Sequence, residues 1–122
     1  MNAQEALDKN WQHFIVERNE PGADEEGNCM LRTAEDNKAC GVGILIREED
    51  YEPELEYLSM RELENELSYL PGDRAEGFEY RTFLGGLQEA HDHAVGPHFR
   101  DNYKRGLRKL AERFDLEVPE ND

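Results

Sequence analysis

Two cysteines, four histidines and a large excess of carboxylates are the residues in this chain that could do chemistry. Cys40, His91 and Asp92 are the nucleophilic option. A thiol attacks as thiolate once an imidazole takes its proton and a third group holds the ring. Adjacent residues on a helix point about 100° apart, so Asp92 is badly placed to orient the ring of His91. His91 also falls on the apolar stripe of Leu84 and Leu87, where a hydrogen-bonded core histidine is the simpler expectation. The metal option is Cys29, Cys40, His91 and one of His13, His93 or His98, a Cys₂His₂ set of the kind closed zinc sites use. Ten residues separate the cysteines and the sequence has no Cys-x-x-Cys, so two buried thiols acting as small hydrophobes are expected instead. No catalytic residue, metal or cofactor is assigned. Gly41-Val42-Gly43 and Leu84-Gly85-Gly86 lack the glycine pattern and the strand–turn–helix setting of a phosphate loop.

Charge excludes more than motifs do. Twenty-nine acids face fourteen bases for a net charge of −15, which repels nucleic acid phosphates and disfavours direct DNA or RNA binding. Residues 47–66 hold nine acids and two bases, net −7, whereas residues 98–113 hold six bases and two acids, net +4. The carboxylates Glu48, Glu49, Asp50, Glu52 and Glu54 could form an acidic face that stands in for a phosphate array in a basic groove, or could simply keep the chain soluble. The basic stretch either packs its charged flank against the acidic segment or sits in solvent, or it offers a stripe to a partner. No apolar run reaches membrane-span length. The opening MNAQEALDKNWQ has neither a basic nor an apolar signal region, so a cytoplasmic protein with reduced thiols is expected.

Those residues must be positioned by helices. Asn2 and Glu5 form a capping-box signature before Leu7, Trp11, Phe14 and Ile15, a helix that stops before Pro21-Gly22. Residues 19–28 read as an acidic loop. Ser59 and Glu62 open a second helix carrying Leu63, Leu67 and Leu70, ended by Pro71-Gly72. Phe83, Leu84, Leu87, Ala90, His91 and Ala94 mark a third, from about Tyr80 to Gly96-Pro97. Phe99, Tyr103, Leu107, Leu110 and Phe114 mark a fourth. The segment 29–46 fits either a small hairpin, turning through residues 34–37, or a short helix. The expected fold is mostly α: one domain over residues 1–122, a bundle of about four helices around an irregular cysteine-bearing segment, with a disordered tail from about residue 117.

The elements Cys29-Met30-Leu31-Arg32, Lys38-Ala39-Cys40-Gly41-Val42-Gly43-Ile44-Leu45-Ile46, Tyr51 with Glu56, and Leu87-Gln88-Glu89-Ala90-His91-Asp92 resemble a family of small uncharacterised bacterial and phage proteins. That family shows Cys-x-Tyr-Arg, Cys-Ala-Val-Gly-x-Leu-Ile and Leu-Gln-x-x-His-Asp elements. The resemblance runs in order over roughly residues 1–118, departing at Leu31, where tyrosine is usual, and at Gly41, where alanine is usual. It implies a mobile-element context, a short helix over residues 39–46, and one polar cluster of Cys29, Arg32, Cys40, Tyr51, Glu56, His91 and Asp92. Within it, Arg32 would pair with Glu56 or Asp92. The expected function is a non-enzymatic interaction module whose acidic face meets a protein partner with a basic surface, such as a host system directed at nucleic acid. A Cys/His-dependent enzyme and a structural zinc module are the alternatives.

Overall fold

The structure, a computed structural model, describes residues 1–23, 30–33, 38–71 and 82–120. Cys29, the second half of the acidic loop, the turn at 34–37, Gly72, Tyr80 and the last two residues lie outside these. Four α-helices are present and no strand is found among the described residues, as the hydrophobic spacing predicts.

Helix α1 spans Ala3–Asn10, and its capping box is complete: Asn2 Oδ1 accepts from the Glu5 amide at 2.9 Å while Glu5 Oε1 accepts from the Asn2 amide at 3.3 Å. The chain continues without a break into a π-helical turn, Trp11–Val16, that buries Trp11, Phe14 and Ile15. Arg18 ends it in the left-handed region at φ 60°, with Asn19 donating from its backbone and its side chain to the His13 carbonyl. Helix α2 (Met60–Glu66) starts on the expected Ser59–Glu62 box. It closes earlier than expected, because Leu67 leaves helical geometry at φ −117° and ψ 88°; Leu63 and Leu70 are still buried. Helix α3 (Phe83–Ala94) is capped by Thr82, whose hydroxyl accepts from the Gly85 amide at 3.0 Å. Helix α4 (Phe99–Phe114) ends on Asp115 at φ 55°, and the Leu116 amide reaches back to the Ala111 carbonyl at 2.8 Å, a Schellman closure.

Helices α3 and α4 cross where small residues meet: a Cβ on Gly86 would come within 2.6 Å of Leu110 Cδ1, and one on Gly106 within 3.1 Å of the Ala90 Cβ. Beneath them, one apolar cluster joins α1, the π turn, α3, α4 and Val42, Leu45 and Ile46. Inside it lies a buried polar knot. Asn10 donates to the Ala6 and Gly41 carbonyls at 3.0 Å each and accepts from the Tyr103 hydroxyl at 2.6 Å, so its amide is satisfied without water. A Cβ on Gly41 would sit 2.2 Å from that hydroxyl. Glycine at this position therefore tightens the packing around Cys40 rather than loosening it.

The irregular segment combines both expected forms. Thr33 donates to the Lys38 carbonyl at 2.8 Å and Cys40 to the Met30 carbonyl at 3.0 Å, a hairpin-like pairing. A single 3₁₀ turn, Gly43–Leu45, then takes the place of the short helix. Glu117 corrects the expected start of a disordered tail. Its amide donates to Gln4 Oε1 and its carbonyl accepts from Gln4 Nε2, both at 2.9 Å, while Val118 packs half-buried against the core.

Candidate functional site

Glu56 organises the first group of site residues. Its carboxylate accepts the backbone amides of Leu31 at 2.9 Å and Arg32 at 3.0 Å, and the Tyr51 hydroxyl at 2.7 Å. One carboxylate thereby ties the cysteine-bearing segment to the 3₁₀ turn Pro53–Tyr57, whose Leu55 is buried. Burial, and after it the hydrogen bond to Glu56, pushes the Tyr51 hydroxyl up to about 12, so it stays a donor. Arg32 joins this group through its backbone and not through the ion pair expected. Its guanidinium donates to the Ile46 carbonyl at 3.0 Å and lies 5.9 Å from the centre of the Tyr51 ring.

His91 lies elsewhere, so the expected single cluster divides. It is fully buried among Phe14, Phe99 and Tyr103, each meeting its ring edge to face with centres 5.2 to 5.9 Å apart. Neither ring nitrogen has a hydrogen-bond partner, and Asp92 stands 3.9 Å from Nδ1, beyond bonding distance. Desolvation lowers its pKa to about 4, leaving a neutral imidazole. Cys40 is fully buried and engaged in a disulfide, which corrects the expectation of reduced thiols. The signal for this was the hairpin alternative itself, since pairing with Met30 is what the backbone of Cys40 does. A thiolate–imidazole pair is not assembled. His13 has its own neighbour, Asn19, at 3.3 Å, and among the described residues no three of His, Cys, Asp and Glu converge as metal ligands.

The acidic face is built differently. Glu48–Asp50 and Pro53–Tyr57 are two short 3₁₀ turns, with Glu48, Glu49, Glu52 and Glu54 exposed and Asp50 half-buried. They are pinned at both ends. At one, Arg47 donates its amide to the Tyr69 hydroxyl at 3.1 Å and lays its guanidinium 4.4 Å over that ring; at the other stands the Glu56 bridge. Beside the carboxylates, Tyr57 is 89 % exposed, the one large hydrophobic side chain left out among the described residues. No sequence pattern distinguished it.

Among the described residues, the basic helix rests charged side chains on its own neighbours. Arg100 donates to the Ile15 carbonyl at 2.9 Å, and Lys104 and Arg108 cover Trp11. Arg105, Lys109 and Arg113 line a groove with Glu89 and His93 of α3. No described helix is long and apolar enough to cross a membrane. No protein-family model, curated protein or solved structure matches the chain.

Proposed function

We propose that this chain is a non-catalytic protein-interaction module that presents its acidic turns, residues 48–57, to a partner with a basic surface. The observation that carries this reading is the pinned array itself: four exposed carboxylates on and between two short turns, with an exposed Tyr57 beside them. An array already held in place loses little backbone freedom on binding, and a tyrosine at its edge is the kind of side chain that anchors interfaces. The charge excess and the resemblance extend the reading to a mobile-element protein that blocks a host machine directed at nucleic acid, its carboxylates taking the place of phosphates in a basic groove. Direct nucleic acid binding is disfavoured by the same charge. A Cys/His enzyme gains no support from a disulfide-bonded Cys40 and a sealed His91.

The test compares wild-type chain with the triple reversal E48K/E49K/E52K and with Tyr57→Ala in affinity capture from the native host, followed by titration against the recovered partner. The reversal is expected to weaken binding by more than about tenfold, and added salt to weaken the wild-type complex. A reversal that keeps the same partner at unchanged affinity would overturn the proposal.

A further inference from the structure

We propose that a second, cationic pocket on this acidic chain binds a phosphate group carried on a small molecule. A depression of about 600 Å³ is lined by His13, Arg18, Arg32 and Lys38, with Glu20 the one carboxylate among the described lining residues and Ala39 and Ile44 as apolar wall. Three of the fourteen basic residues of a −15 chain thus gather in one hollow. Lys38 is ion-paired with Glu20. The two guanidiniums are not neutralised in this way. Arg18 is exposed and forms no ion pair among the described residues, and Arg32 gives one bond to the Ile46 carbonyl while its Nε is buried without a partner.

The positions of both arginines are set by other interactions. The Glu56 carboxylate holds the backbone of Arg32, and the Asn19–His13 bonds fix the turn that carries Arg18 in the left-handed region. Guanidinium forks match phosphate oxygens in pairs, and among the described lining residues three cations face one carboxylate, the right sign for a group that is close to dianionic at neutral pH. The volume is that of a small-molecule site and exceeds what a bare anion fills, so the phosphate would come attached to a body resting on Ala39, Ile44 and the His13 ring.

Titration of ¹⁵N-labelled full chain at low ionic strength with phenyl phosphate, inorganic phosphate and succinate tests this. Saturable shifts centred on His13, Arg18, Arg32, Ala39 and Ile44 are expected with phenyl phosphate. Arg18→Gln should weaken the binding at least about tenfold, the effect of losing one charge-assisted contact, while Arg105→Gln on α4 leaves it unchanged. Because the Arg18 side chain holds no part of the fold, R18Q remains informative even if Arg32→Gln proves unstable. The absence of saturable shifts, equal affinity in R18Q, or succinate binding as tightly as phenyl phosphate would overturn the proposal.

Discussion

His91 sits where its periodicity places it, on the core face of α3, yet without the hydrogen bond a buried histidine was expected to have. Leaving a buried polar group unsatisfied costs about 1–3 kcal/mol, and its aromatic neighbours return only part of this through edge contacts. A pH dependence follows. The folded-state pKa of about 4 lies below the ordinary 6.5, so the unfolded chain takes up a proton first as pH falls. The contribution of a neutral His91 is intact above pH 6.5 and is lost progressively down to about pH 4, on the order of 3 kcal/mol in all. Unfolding titrations between these limits should show this loss, and His91→Leu should flatten it while holding stability at neutral pH. An equally steep acid loss in the leucine variant would refute the assignment. The sequence showed the face but not the partners: Glu56 bridges to Leu31 and Arg32 across a segment whose path only tertiary packing decides.

Among the elements, what is local was legible. Both capping boxes rest on residues three apart, and the apolar faces of α3 and α4 follow the spacing read for them, whereas α2 ends before Leu67 and Leu70. The π turn was not visible, because Leu7, Trp11, Phe14 and Ile15 satisfy α-helical spacing as well. The segment over residues 30–46 was ambiguous for a different reason: its apolar run is short enough for either geometry, and the structure uses a piece of each. The end of α4 offers a direct check on helix energetics. Asp115 adopts φ 55°, where an L-residue is strained and glycine is not. Asp115→Gly should raise stability by about 0.5 kcal/mol or more, the strain relieved less the extra freedom glycine gives the unfolded chain. Thermal melts showing no gain would mean that the Schellman closure, with Leu116 bonded to Ala111, already compensates the strain.

For the whole molecule, charge is the dominant long-range term. With twenty-nine acids against fourteen bases, compaction brings like charges together, and salt relieves the resulting repulsion. The screening length falls from about 30 Å at 0.01 M to about 10 Å at 0.1 M salt, so the melting temperature should rise over that range. The reversal E48K/E49K/E52K changes three charges by two each, from −15 to −9, and should melt higher at low salt and respond less to added salt. A salt response unchanged by the reversal would show that the acidic turns, whatever they bind, are not where the repulsion is felt. A chain that folds only in molar salt would instead mark the charge excess as adaptation to a saline interior.

The packing of Trp11 makes the molecule its own instrument. It is the chain's only tryptophan, 2 % exposed, with the Lys104 ammonium and the Arg108 guanidinium each 5.8 Å from its ring. All indole fluorescence therefore reports one seam, that between the π turn and α4. As the seam opens, the emission moves toward the red and becomes open to quenchers. An anionic quencher such as iodide is drawn in by those two cations and caesium is turned away. The ratio of the two quenching constants thus reads whether α4 still covers the indole, with no label attached.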